Sequence, residues 1–202
     1  VSAPARVRAV LFDLDGVLVD SYEAWFAVVN DACARFGRPP VGRDRFAGIW
    51  GQGIAADVRN LYPGRTPAEV EAAYAEAMPR RAGGVRSNPE ARAALERLRD
   101  AGLARALVTN TQVALAREVV SGAGLLDVLD AVQGARPGVR EKPAPDLLLA
   151  ALAAVGAAAA EALMVGDSRY DEEAARAAGV PFLSYDLRHG GSLLAALEAR
   201  LG

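Results

Sequence analysis

The chain has 202 residues, 52% of them hydrophobic, and a formal net charge of -2; that length suits one compact core plus a smaller inserted domain. The near-neutral charge lacks the basic stripe of a nucleic-acid binder, and no apolar run approaches the roughly 20 residues that cross a bilayer. Cys33 is the single cysteine, so no intrachain disulfide forms; with no signal-peptide pattern at the start, the expected setting is cytoplasmic.

In chain order, residues 6–12 form a short apolar run ending at Asp13, where an acidic, glycine-containing turn follows, and this spells a buried strand. Helical spacing runs from Ser21 to Phe36 with Gly37 as its stop, and Cys33 falls on its apolar side as a buried structural thiol. Residues 43–61 read as one or two short helices interrupted at Gly51-Gln52-Gly53. A further helix covers Pro67 to Met78, capped by Thr66 with proline in its first turn. A Gly- and Arg-rich connector spans 81–88. Beyond it the pattern alternates: helix 89–101, strand 103–108 with Thr109-Asn110 after it, helix 112–121, strand 127–133, helix 143–155, strand 162–165, helix 170–178, strand 180–184 and a closing helix 192–201. Strands alternating with helices imply a parallel sheet with right-handed crossovers. The fold class is therefore α/β, a doubly wound, Rossmann-like parallel sheet. Residues 1–16 and 87–202 form the core, and residues 17–86 an inserted α-helical cap.

Ligands of open α/β sheets bind beyond the carboxyl ends of the strands. Those ends carry Asp13 and Asp15, then Thr109 and Asn110, then Asp167 with Asp171 four residues on; Lys142 opens the helix before the strand that ends at Gly166. Crowded carboxylates without histidine or cysteine favour a hard cation such as Mg2+, completed by water and a substrate phosphate. Lys142 and Thr109 supply donors for phosphate oxygens. An aspartate facing a phosphate beside such a cation is placed to attack it, and Asp15, two residues on, is placed to serve as general acid and base. Composition adds weight to Lys142. It is the only lysine in the chain, with arginine supplying every other cationic side chain apart from His189. In a sequence that has otherwise drifted to arginine, a retained lysine points to a site that requires one. His189, the sole histidine, has no second histidine with which to bind metal and reads as a surface-loop residue.

The run Leu11-Phe-Asp-Leu-Asp-Gly-Val-Leu-Val-Asp-Ser21 resembles the first motif of the haloacid dehalogenase-like superfamily. Val108-Thr-Asn110 resembles its second motif, Lys142-Pro-Ala-Pro-Asp146 its third and Val165-Gly-Asp-Ser-Arg-Tyr-Asp171 its fourth, in order and over nearly the whole chain. The resemblance implies that Asp13 is a nucleophile and Mg2+ ligand. Asp15 would be the acid/base with its backbone carbonyl on the metal, Thr109 and Asn110 would position the phosphoryl group, and Lys142 would hold Asp13 and a phosphate oxygen. Asp167 would ligate Mg2+ with Asp171 in support. A cap between the first two motifs is similar to the helical-cap branch of phosphoglycolate phosphatases and β-phosphoglucomutases. Asp15 distinguishes the chain from the branch's dehalogenases and phosphonatases. Trp25, where the mutases carry histidine, and Gly51-Gln52-Gly53-Ile54, where they carry Arg-x-x-Ser, set it apart from the mutases. Gly48 to Gly53 is similar to the cap loop of the phosphoglycolate phosphatases, making Trp50 and Gln52 candidate substrate contacts. The expected function is hydrolysis of a small phosphorylated metabolite through an aspartyl-phosphate, by a monomer or dimer without membrane or nucleic-acid partners. The alternatives are a phosphosugar mutase and an idle ligand- or partner-binding relative; the intact set of Asp13, Asp15, Lys142 and Asp167 speaks against idleness.

Overall fold

A computed structural model describes residues 6–201; residues 1–5 and 202, the outermost parts of the expected core, lie outside the described residues. The chain divides into two compact units, one of residues up to Asp20 and from Ser87 onward, the other of Ser21–Arg86.

The first unit is built on five parallel strands among the described residues, β1 (Ala9–Phe12), β4 (Ala104–Gln112), β5 (Ala131–Ala135), β6 (Ala162–Gly166) and β7 (Phe182–Ser184). Their order is β5-β4-β1-β6-β7, which reverses direction at β1, the place where doubly wound sheets open a binding crevice. All four residues of β1 are fully buried, as expected for a central strand covered on both faces. In register, Phe12 stands beside Leu107 of β4 on one side and Val165 of β6 on the other. Asp13 therefore leaves the sheet between β4, which carries Thr109, and the end of β6, after which Asp167 follows.

Helices α5 (Ala91–Asp100), α6 (Val113–Gly122), α7 (Asp146–Val155), α8 (Arg169–Ala178) and α9 (Leu193–Leu201) complete this unit. Ala9 and Leu11 of β1, Ala106 and Val108 of β4 and Met164 of β6 pack against Leu147, Leu148 and Ala151 of α7 and Ala174 and Ala175 of α8. These strand residues are two apart, so they share a sheet face. Helices α7 and α8 end at Gly156 and Gly179, both left-handed, where a residue without Cβ turns without strain.

The second unit contains α1 (Tyr22–Arg35), α2 (Arg43–Ile49), α3 (Ile54–Asn60) and α4 (Pro67–Arg81), with a 3-10 turn at Ala82–Gly84. Thr66 starts α4 with a reciprocal capping box: Glu69 N–H donates to its Oγ1, and its own N–H donates to the Glu69 carboxylate at 2.7 Å. The two-residue strands β2 (Val19–Asp20) and β3 (Arg86–Ser87) carry the chain out of and back into the first unit.

Several boundaries differ from the sequence expectation. The helical unit begins at Ser21, whereas the cap was expected from residue 17. Val17, Leu18 and Val19 are fully buried, and the Asn88 side chain and main chain bond Val17 and Leu18, so these residues group with the core. Strand β4 runs through Thr109, Asn110 and Thr111 and does not stop at residue 108. Strand β5 begins at Ala131, not at 127, because Asp127 is drawn to Arg92 at the surface and residues 126–128 form a 3-10 turn. Lys142 does not open a helix: α7 begins at Asp146, as the prolines at 143 and 145 hold the preceding backbone out of the helical region.

Candidate active site

The site is assembled at the carboxyl end of the sheet. Asp13 follows β1 directly, and its N–H donates to Val165 O at 2.9 Å, which ties the strand end to β6. The chain then turns sharply, with Leu18 and Val19 N–H groups donating to Leu14 O and Gly16 N–H to Val19 O. Gly16 stands at φ +84°, and a Cβ there would lie 2.0 Å from Asp167 Oδ2. Only glycine satisfies both the left-handed backbone and the carboxylate pressed against it.

Lys142 is the hub. Its Nζ donates to Asp13 Oδ1 at 2.8 Å, to Asp171 Oδ1 at 2.5 Å and to the main-chain oxygen of Val108 at 3.1 Å. Lys142, Asp13 and Asp171 are all buried. Burial alone would lower the lysine pKa, but Asp13 and Asp171 outweigh it and hold the ammonium charged. The backbone of Lys142 is held in turn by Asn110, whose Oδ1 accepts from Lys142 N at 2.7 Å and whose Nδ2 donates to Lys142 O at 3.0 Å. The second and third motifs are thus joined by a bidentate amide-to-backbone pair.

Asp171 lies in the first turn of α8. Its Oδ2 accepts from Ser168 N at 3.1 Å and Ser168 Oγ at 2.5 Å, and Asp171 N–H donates back to Ser168 Oγ at 3.3 Å. A capping box therefore orients the carboxylate that receives Lys142. Thr109 is buried, and its Oγ1 accepts from Thr111 N at 3.0 Å. Thr111 Oγ1 donates to Asp15 Oδ2 at 3.0 Å.

Asp13, Asp167 and Asp171 present ligand atoms within 4.8 Å of one another. Burial, together with Asp171, Asp167 and Asp15, pushes the Asp13 carboxyl well above the usual carboxylate range, even though Lys142 opposes this. The Lys142 ammonium and the Arg188 guanidinium, 3.8 Å from Asp167, supply two positive charges against the four carboxylates of Asp13, Asp15, Asp167 and Asp171. An all-oxygen donor set with that imbalance fits a hard divalent cation.

The expected catalytic and metal-binding residues all fall in the core unit: Asp13 and Asp15 just beyond β1, Thr109 and Asn110 within β4, Lys142 in the loop before α7, Asp167 just beyond β6 and Asp171 in α8. Trp50 and Gln52 belong to the helical unit. Trp50 packs against Tyr22 and Phe46, with ring centroids 4.9 and 5.8 Å away. Gln52 donates to Asp57 Oδ1 at 2.5 Å and accepts from Asn60 at 3.0 Å. His189 is exposed, with Nδ1 2.7 Å from Asp186 Oδ2.

Sequence reasoning passed over Thr111 and Ser168. Each had a legible signal: Thr111 shares a strand face with Thr109 at spacing two, and Ser168-x-x-Asp171 is a capping pattern. It also passed over Arg188 and Asp186, for which no local pattern exists.

Comparison with known proteins gives the family. A family model described as haloacid dehalogenase-like hydrolase matches residues 10–185. The phosphoglycolate phosphatase of Rhodobacter capsulatus is 34% identical over 184 residues, covering 88% of this chain and 83% of the relative. That of Cereibacter sphaeroides (strain ATCC 17025 / ATH 2.4.3) is 37% identical over 183 residues, covering 86% and 82%. A crystal structure of a hydrolase from Pseudomonas syringae superposes with a TM-score of 0.79 at 25% identity, covering 96% of this chain and 90% of that one. The chain belongs to the haloacid dehalogenase-like hydrolases. Within that family it is a phosphatase, a phosphoric monoester hydrolase. No described helix is long and apolar enough to cross a membrane.

Proposed function

We propose that the protein hydrolyses a small phosphorylated metabolite, with 2-phosphoglycolate the first candidate, through a phosphoryl-aspartate formed on Asp13 with the help of Mg2+. The observation that carries this reading is the buried clamp of Lys142 on Asp13 at 2.8 Å, set in a carboxylate cluster that a divalent cation would balance. The choice of substrate rests on the activity named for the relatives above.

Asp13, Asp167 and Asp15, the last through its main-chain carbonyl, would hold the cation; when bound, Mg2+ supplies positive charge to the transferring phosphoryl oxygens. Lys142 fixes one Asp13 oxygen and leaves the carboxylate aimed along one line. An Asp13 oxygen forms a bond to phosphorus as the ester P–O bond breaks, and Asp15 passes its proton to the departing oxygen. Asp15, now ionised, takes a proton from water as that water attacks phosphorus, which releases phosphate and restores Asp13. The Thr109 hydroxyl uses an acceptor site on Thr111 N–H, so its own O–H is the donor suited to a phosphoryl oxygen. In this reading Asp171 acts through Lys142, since one of its oxygens faces the ammonium and the other the Ser168 cap.

Asp13→Asn tests the chemistry. The variant is expected to keep the circular dichroism spectrum of the wild type and to lose phosphatase turnover nearly completely, and beryllium fluoride plus Mg2+ is expected to inhibit the wild type. Turnover at the wild-type rate in Asp13→Asn would remove the covalent mechanism. A screen of phosphorylated metabolites with Mg2+ and with EDTA tests substrate and metal separately.

A further inference from the structure

A third strand end reaches the acidic cluster. Beyond β7 the chain passes through Tyr185 to His189, and two main-chain bonds pin this loop to the site. Tyr185 N–H donates to Gly166 O at 2.9 Å and Leu187 N–H to Gly16 O at 2.8 Å. Within the loop Asp186 grips Arg188 at three points. Its Oδ1 accepts from Arg188 N at 2.8 Å and from Nε at 3.3 Å, and its Oδ2 accepts from Nη2 at 2.9 Å. Burial would raise the Asp186 pKa, but these bonds and the Arg188 charge hold it below the usual carboxylate range. The guanidinium is thereby oriented with Nη2 3.8 Å from Asp167 Oδ2; the Arg188 side chain is 27% exposed and that of Asp167 1%. A separation of 3.8 Å is beyond hydrogen-bond length, so the Arg188–Asp167 interaction is a charge acting on a charge.

We infer that Arg188 is a tethered counter-cation of Asp167 that weakens the hold of the acidic cluster on its divalent ion, and that Asp186 sets how strongly it does so. The inference rests on the reading of Asp167 as a metal ligand. A fixed positive charge at this distance shares the Asp167 oxygen with an incoming cation and repels that cation as well. Asp186 takes part of the guanidinium's attraction and keeps Arg188 from closing onto Asp167. Removing the arginine and removing its tether therefore act in opposite directions, which a loss of packing alone would not produce.

The test uses the full chain and Mn2+ as the probe ion, with free Mn2+ followed by electron paramagnetic resonance and binding heat by calorimetry. Arg188→Gln is expected to bind Mn2+ about three- to tenfold more tightly than wild type, the scale of one unit charge acting on a divalent ion across several ångströms of wet protein. Arg188→Met repeats the measurement without a polar amide. Asp186→Asn, which releases Arg188 toward Asp167, is expected to bind about threefold more weakly or worse. Equal or weaker binding in both Arg188 variants, or a shift of the same sign in Arg188→Gln and Asp186→Asn, overturns the inference while leaving the metal site standing. A wild-type chain that does not bind Mn2+ at all overturns the metal reading itself, and this inference with it.

Discussion

Three acceptors surround the Lys142 ammonium, and an ammonium has three N–H donors. A guanidinium is planar and wider, and it prefers to grip one carboxylate with two parallel bonds. It cannot reach Asp13, Asp171 and Val108 O from one point. Lys142→Arg is therefore expected to keep charge and fold yet lose at least about tenfold in kcat, or about 1.4 kcal/mol in the barrier, measured at saturating Mg2+. An arginine variant as fast as wild type would make Lys142 merely a cation. Asp15 and Thr111 form the second pair worth separating. Protonation of the leaving group is worth about 10²–10⁴-fold, and good leaving groups need it less. Asp15→Asn should thus slow alkyl phosphates far more than aryl phosphates, and Thr111→Val, which removes the 3.0 Å bond to Asp15, should show the same bias more mildly, with a displaced pH profile. Equal losses on both ester types would point to a structural role for each. Asp13, Asp15, Lys142, Asp167 and Asp171 are legible in the sequence because their motifs are contiguous. Thr111 carries only the spacing-two signal from Thr109, because its importance lies in a contact between residues 96 apart in the chain.

At the scale of the element, α8 shows how local structure sets a distant charge. Its Ser168–Asp171 capping box is a first-turn feature, yet the capped carboxylate is the one that receives Lys142. The strand before it ends in Gly166, where a Cβ would come 2.4 Å from Asp171 Cβ. Gly166→Ala must push α8 off the strand end. It is expected to destabilise the fold by about 1–3 kcal/mol, the usual cost of overpacking, and to lower kcat beyond the loss of folded protein, since the Asp171–Lys142 contact moves with the helix. Thermal melting combined with kcat per folded molecule checks this; an activity loss fully accounted for by unfolding would separate α8 from the site. Most helix limits were readable from caps and glycine stops, as at Thr66 and Gly179. The start of β5 was not, because Asp127 is drawn from the strand by Arg92, 35 residues away in the chain. The start of α7 follows from the local prolines at 143 and 145, while the loop at Lys142 is held by Asn110 of β4.

Across the whole molecule, the buried carboxylates make cation binding and pH one problem. Asp13 titrates well above the ordinary range in the folded protein, from burial and from the neighbouring Asp171, Asp167 and Asp15. An acid whose folded pKa exceeds its unfolded one lets the native state bind more protons. Without a cation, stability is then lost as pH rises from the ordinary aspartate value through the raised one. A divalent ion competes with that proton and favours the ionised carboxylate. The rise in Tm on adding saturating Mg2+ over an EDTA control is therefore expected to grow with pH across that window, as followed by scanning fluorimetry. An increment independent of pH would show that Asp13 is already ionised in the metal-free fold.

The class of fold and the candidate residues of the site are legible in the sequence. Alternating apolar strands and helices close a parallel sheet in few ways, and each motif lies on a contiguous stretch whose carboxylates, hydroxyl or ammonium must emerge at one rim. How those groups face each other is a property of the fold. It placed Lys142 on Asp13, Asp171 and Val108 O together, turned Asn110 onto the Lys142 backbone, and brought Arg188, held by Asp186, beside Asp167. Such pairings depend on strand order, on register and on the path of a loop after the last strand. These are set by packing among residues far apart in the chain, and no local pattern of residue types encodes them.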